Sequence, residues 1–487
     1  MSAPYKSRLG TRALALAAAL ACLPAWSLDL SQAYQAALEQ DATLRAVRAA
    51  TDAKRERLPQ ARAQLLPNLS ASASRNLNRL ERTAPNFQGD AVTTQERYGS
   101  SSESLTLRQP LFRKSLMADY RQAKAQVDDA NAILDKEVQN LAVRVGGAYF
   151  EALLAEEQLT LVLSQKVAYA TQLDAARKRF TGGSGTRTDI DEAQAALDLN
   201  FAQELEARQN LDYTKRQLQT LTNQPVDALA TLDATKLQLV QPTPNRVEDW
   251  TERAELFSPE IQSLKAQVEV AQQEIEKARA GHYPTLDAIA QLSRSNSDNV
   301  TSVNTRYINK SIGLQLSVPL YAGGFVSSTV RQALADKERA EQALEATRRD
   351  LGVRVHQEFR GVTEGVLRVR ALEQAVRSAE QVVISNRRSF EAGSRTLVDT
   401  LNAEQQKVSA QRDLAQARYV YLISRVKLQA LAGGPKTEVI DEVNGWLVPK
   451  ASRPAAASEV DSTHHLLHGH GLGRQLRLDR FITLGSR

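Results

Sequence analysis

The sequence predicts a mainly α-helical protein with a small β part, built from a duplicated β-β-α unit. Three observations carry that expectation: a composition suited to long helices, a residue pattern that recurs about 210 positions later, and four short segments of alternating apolar and polar residues. Aromatics make up only 5% of the 487 residues. Ala, Leu, Gln, Glu and Arg dominate, as in long helices and unlike compact cores.

At the start, Lys6, Arg8 and Arg12 flank an apolar run from Ala13 to Leu23, and small residues stand at Ala25 and Ser27. About eleven apolar residues fall short of the roughly twenty that a spanning helix needs, so residues 1–27 are predicted to be a signal peptide, not a retained anchor. Cys22, the only cysteine, lies within it, and the mature chain is expected to hold no thiol. Lipid attachment at Cys22 is the alternative, which Ala19, Leu20 and Ala21 fit poorly. Subtracting the three lost cations from the formal charge of +6 leaves about +3, too weak a bias for a nucleic-acid partner.

Phe180, Gly183, Thr186, Asp189 and Ala193 recur as Phe390, Gly393, Thr396, Asp399 and Ala403, each 210 residues on. Pro110-Leu111-Phe112 is answered by Pro319-Leu320-Tyr321 at a spacing of 209, and Pro67 and Pro284 each follow an Ala-Arg-Ala triplet. Tandem duplication explains these matches. It gives a first repeat over 28–221 and a second over 259–432. The mixed segments 222–258 and 433–450 are expected to pack as a collar around the helices. Residues 451–487 lack a core pattern and are expected to be disordered; His464, His465, His468 and His470 there are read as part of that tail in preference to a metal site.

Each repeat opens with a helix, expected over 29–63 and 259–281. Strands follow at 67–78 and 101–112, and at 284–294 and 309–320. Helical hairpins then occupy 114–221 and 324–431. Their long first arms, 114–180 and 324–390, reach on the order of 100 Å at 1.5 Å per residue and need helical neighbours throughout. A seam for them runs in steps of four and three through Leu134, Val138, Leu141 and Val145 to Val162. The second seam is broken by Arg348, Glu358, Gly365 and Asn386, either as register devices or where it faces water. At each tip, Gly183 or Gly393 suits a left-handed turn, and Thr186 with Asp189, or Thr396 with Asp399, fits a capping box opening the return helix.

The strand segments alternate with period two, most cleanly at Ile312, Leu314, Leu316, Val318 and Leu320; in the first repeat Leu105, Leu107 and Leu111 alternate with Gln109 interrupting. Alternation alone fits a soluble sheet as well as a membrane wall. For an exported chain, four strands cannot close a barrel, and open edges are intolerable in lipid, so three chains pooling twelve strands are the expected solution. Pro110 and Pro319 stand where strand gives way to helix. The polar stretches Arg79 to Gly99 and Arg294 to Tyr307 are expected to be exterior loops.

With the duplication and the tip from Phe390 to Asp399 in view, the sequence resembles the TolC family of outer-membrane export proteins over about Leu28 to Lys450. The resemblance implies a homotrimer with a twelve-strand barrel in outer-membrane lipid and a twelve-helix coiled-coil tunnel across the periplasm. It also implies passive conduction of proteins or small toxic molecules, with a periplasmic adaptor and an inner-membrane ABC or RND-type transporter as partners. Carried over by position, Arg395 links to Thr188 and Asp189, and Asp399 forms a three-fold acidic ring. Phe390 replaces a frequent tyrosine, and Asn402 a frequent second aspartate, which leaves less charge at the constriction. Without the resemblance, Asp399 is a helix cap and Arg395 a solvated arginine.

No Ser/His/Asp arrangement, P-loop or dinucleotide fingerprint appears, so neither enzymatic activity nor a cofactor is expected. Two other functions compete. A non-conducting coiled-coil scaffold leaves the alternating segments without a purpose, and a periplasmic adaptor is expected to carry one hairpin within β-rich domains.

Overall fold

The computed structural model describes residues 27–297, 305–434 and 438–449, all within the first of two units, Met1–Lys450. Cys22, nearly all of the expected signal peptide and the His-bearing tail lie outside the described residues.

The chain begins with three helices, α1 (Leu30–Gln40), α2 (Ala42–Arg55) and α3 (Arg57–Ala63), where one was expected over 29–63. Asp41 makes the first break. It is extended, at φ −60° and ψ 121°, and its carboxylate accepts the Leu44 N–H at 2.7 Å, so capping overrides the apolar period there.

Strands β1 (Asn68–Pro85) and β2 (Ala91–Phe112) are much longer than the expected 67–78 and 101–112. The stretch Arg79 to Gly99 is therefore mostly ribbon, with only residues 86–90 left to turn. Polar side chains hold it across the pair, as where Thr83 and Thr93 hydroxyls meet at 2.8 Å and Gln95 reaches Glu81 at 3.3 Å. The pattern of polar residues was thus a poor sign of a loop.

Next come α4 (Lys114–Thr181), α5 (Arg187–Thr222), a two-residue β3 (Thr231–Leu232), α6 (Val247–Phe257) and α7 (Pro259–Arg279). Strands β4 (Thr285–Ser297) and β5 (Thr305–Ser317), then α8 (Phe325–Glu391), α9 (Leu397–Leu431), α10 (Glu438–Asn444) and β6 (Leu447–Val448) complete the described chain. The 68 residues of α4 and 67 of α8 each make a rod of roughly 100 Å. Among the described residues no helix is long and apolar enough to cross a membrane.

Four strands form one antiparallel sheet in the order β1–β2–β4–β5. Its register aligns Leu69 with Leu107, Leu107 with Ala290, and Ala290 with Ile312, placing apolar residues on one face. That face is open: Ile312 is 88% exposed and Leu314 70%. The expected alternation through Leu111 does not hold. Pro110 pairs with Asp287 and Phe112 with Leu286, so a bulge at Leu111 brings Phe112 onto the apolar face instead. Pro319 lies just past the end of β5.

The main core sits near the middle of α4, where Tyr149 and Leu153 pack with α1 residues Leu30 and Tyr34 and with Val355, Tyr421 and Leu422. Segments between the hairpins are tied to it by buried tyrosines. The Tyr149 hydroxyl lies 2.9 Å from the Leu28 carbonyl and 3.0 Å from that of Ala230, and Tyr421 accepts from Val240 N at 3.1 Å. Short strands β3 and β6 pair beside them.

The breaks in the second seam are bonded rather than simply wet. Glu358 meets Lys427 at 3.7 Å, Arg348 meets Glu345 at 3.3 Å, and Asn386 donates to the Asp399 carbonyl at 3.1 Å. At Gly365 an added Cβ would come 3.3 Å from the Tyr421 ring, so glycine is what lets α8 and α9 approach.

Candidate functional site at the helix tips

Each hairpin tip is assembled from local chemistry. In the first, Gly183 takes φ +77°, and Ser184 N–H returns to the Arg179 carbonyl at 3.0 Å, closing the end of α4. Asp189 N–H then donates to Thr186 Oγ1 at 3.1 Å while the Asp189 carboxylate accepts Thr186 N–H at 3.0 Å. The second tip repeats this with Gly393 at φ +79°, Asp399 N–H to Thr396 Oγ1 at 3.3 Å, and Thr396 N–H to Asp399 Oδ2 at 3.0 Å. Both return helices therefore open on a capping box.

Asp399 has a second bond from the Thr396 hydroxyl, at 2.9 Å, and Arg395 Nη1 stands 3.6 Å from its other oxygen. The Thr396 backbone amide, then its hydroxyl, then the Arg395 charge hold this carboxyl below the usual aspartate range. It stays ionised near neutral pH, and its partners lie on its own hairpin. Among the described residues Arg395 makes its ion pair with Asp399, within one hairpin. Thr188 is exposed and Asp189 half-buried. The single chain thus contains both helix caps but does not bring Arg395 to Thr188 or Asp189.

A different contact joins the two hairpins. The Arg179 guanidinium lies 4.3 Å from the centre of the Phe390 ring, an attraction between a cation and the electron-rich ring face. Phe390 also packs on a small cluster of Tyr169, Leu173, Leu197, Leu397 and Leu401 drawn from both hairpins. The sequence pointed to Phe390 only as a missing hydroxyl. Its partner is 211 residues away by numbering, beyond any local signal.

Polar groups fill the interior just behind that cluster. Glu404 is buried and receives Lys407 at 2.5 Å and Arg387 at 3.5 Å, while Asn200 donates to Gln165, which donates to Tyr169. Asn402 is exposed and lines a groove of about 760 Å³ between the hairpins, together with Leu401, Gln405, Gln165 and Tyr169.

At the opposite end, where sheet meets helix, Asp287 is 2% exposed and accepts from two arginines. Arg108 reaches it at 3.1 and 2.5 Å, and Arg113, the residue preceding α4, at 2.8 and 2.5 Å. One carboxylate of β4 thereby fixes both β2 and the start of the first long helix. The prolines Pro110 and Pro319 flank this junction, and Pro110 is the register partner of Asp287.

A family model described as outer membrane efflux protein matches residues 33–224 and 250–434. The chain is 34% identical to the alkaline protease secretion protein AprF of Pseudomonas aeruginosa, covering 91% of this chain and 93% of that one. It is 31% identical to the outer membrane protein TolC of Vibrio cholerae, over 87% of this chain and 94% of the relative. The fold is similar to the Campylobacter jejuni CmeC outer membrane channel, with a TM-score of 0.70 and 18% identity over 85% of this chain and 89% of that one.

Proposed function

The chain belongs to the outer membrane efflux protein family, and from that premise we propose that three copies form the exit duct of a tripartite export system. It is an outer-membrane protein that extends into the periplasm, and its family members are channel proteins rather than enzymes. The observation that carries the finer reading is the sheet. Its order leaves β1 and β5 as free edges of 18 and 13 residues, and the apolar face between them is open. Unpaired backbone groups cannot sit in hydrocarbon, so β1 of one copy must meet β5 of the next until the ring closes. Three copies of four strands give a twelve-strand barrel, and three copies of four long helices a twelve-helix tunnel beneath it.

The duplicated repeats then supply an outer and an inner hairpin to each copy, with the tips as the closed end. In the ring, Asp399 contributes a three-fold acidic constriction, Arg395 bridges to Thr188 and Asp189 of the other hairpin, and Arg179 on Phe390 adds an attraction within each chain. Conduction is passive. An inner-membrane transporter and a periplasmic adaptor hand over the cargo.

Protein is the favoured cargo, with an ABC-type transporter, because two relatives that each match most of this chain are protease secretion proteins. Deleting the gene is expected to remove secreted proteins from the culture medium while leaving susceptibility to small toxic molecules largely unchanged. Intact secretion combined with increased drug susceptibility would replace this cargo reading by efflux.

A further inference from the structure

The apolar face of the sheet ends in a band of cations. Cross-strand partners share a face, so the register carries the side of Leu69, Leu107, Ala290 and Ile312 along the strands away from the helices. Along β5 and Val318 just past its end, that face runs to Ile308 with Lys310 its one interruption, roughly 33 Å along the strand and roughly 25 Å once tilted by about 40°, enough for an outer-membrane hydrocarbon layer. The same face holds Lys310 just inside its far limit, and Arg294, Arg306, Arg75, Arg79 and Arg97 at and above it. Arg75 pairs in register with Ser101, Ser101 with Asn296 and Asn296 with Arg306, while Arg79 stands directly opposite Arg97.

Only Glu103 and Glu81 oppose them on that face, and neither forms an ion pair with any of the six. Arg79 bonds to the neutral Gln95 at 3.4 Å, and the enclosed Nε of Arg294 has no acceptor. The other face is built differently. Beyond the Asp287–Arg108 pair and as far as Glu96 it carries Ser, Thr, Asn, Gln and Tyr with no charged side chain. Like charges directly opposite one another, as at Arg79 and Arg97, cost stability unless an anion lies between them.

We propose that this outward band is a binding surface for phosphorylated lipid headgroups of the outer leaflet, which would fix the depth and tilt of the barrel. The proposal rests on the barrel reading of the sheet. Its cations sit where an anionic leaflet meets the apolar band, and long Arg and Lys stems let the charged ends reach the phosphates while their methylenes stay with the chains. Free phosphate lacks the acyl chains that would add contact with the band below.

The test uses the full-length protein purified from membranes and reconstituted in zwitterionic phospholipid nanodiscs containing a minor fraction of bisphosphorylated lipid A or of its dephosphorylated form. Bound lipid is counted by native mass spectrometry. The wild type is expected to retain phosphorylated lipid A over the dephosphorylated form, and inorganic phosphate at equal concentration is expected not to displace it. A variant carrying Arg75→Gln, Arg79→Gln, Arg97→Gln and Arg306→Gln should retain roughly fivefold less or lower still. Arg82→Gln, on the other face, should retain as much as the wild type. Equal retention by the wild type and the fourfold variant would overturn the proposal, as would displacement by phosphate alone. Channel conductance of each preparation in a zwitterionic bilayer separates the two readings: a wild type that never conducts overturns the barrel and the lipid band together, whereas one that conducts without lipid preference overturns only the band.

Discussion

Replacing Arg395 by alanine and Asp399 by asparagine in the same chain is expected to raise single-channel conductance in planar bilayers and to increase the time spent open several-fold. The choice of asparagine separates two roles. Its side-chain oxygen can still accept the Thr396 N–H, so the capping geometry that now holds at 3.0 Å survives while the charge leaves. An exposed ion pair contributes little by itself. In the proposed trimer three related pairs break together, so their effects compound in the equilibrium between closed and open tips. Loss of the proposed acidic ring should also weaken the preference for cations. Unchanged conductance and selectivity would remove both residues from the closed end, leaving Asp399 as a helix cap and the Arg179–Phe390 contact as the candidate for closure.

Asp287→Ala is expected to destabilise the junction between sheet and helices by about 2 kcal/mol. Removing one member of a buried ion pair costs about 3–5 kcal/mol because the remaining charge is stranded. Here the arginines keep partial access to water, with side chains 47% and 27% exposed for Arg108 and Arg113, which lowers the expected cost. Among the described residues neither arginine has another carboxylate partner. The proposed trimer should therefore dissociate at a temperature several degrees lower in detergent, and adding Arg108→Gln should recover part of the loss because one fewer cation is stranded. A variant as heat-stable as the parent would show that Asp287 does not brace the junction.

What the sequence discloses depends on distance along the chain. The tips are built from residues within a few positions of one another, Gly183 to Asp189 and Gly393 to Asp399, so their turns and caps can be read directly. Asp41 is also local, yet the apolar period on either side masks its cap, and one expected helix becomes three. The reach of β1 and β2 was hidden for another reason. Thr83, Thr93, Glu81 and Gln95 resemble a solvated loop until the partner strand lines them up. Least legible were contacts made between the halves of the chain. Arg179 on Phe390, and Arg108 with Arg113 on Asp287, join residues 174 to 211 positions apart, and no spacing rule connects them.

The proposed barrel and closed tips require neighbouring copies to complete the sheet. The most direct measurement is disulfide cross-linking in intact outer membranes between a cysteine at Ala71 in β1 and cysteines scanned one at a time from Lys310 to Leu314 in β5, with Cys22 replaced by serine. Pairing of the two free edges predicts a covalent three-chain species at one register, with no larger ladder. Absence of any adduct across the scan, from protein that runs as a monomer by mass, would contradict the account.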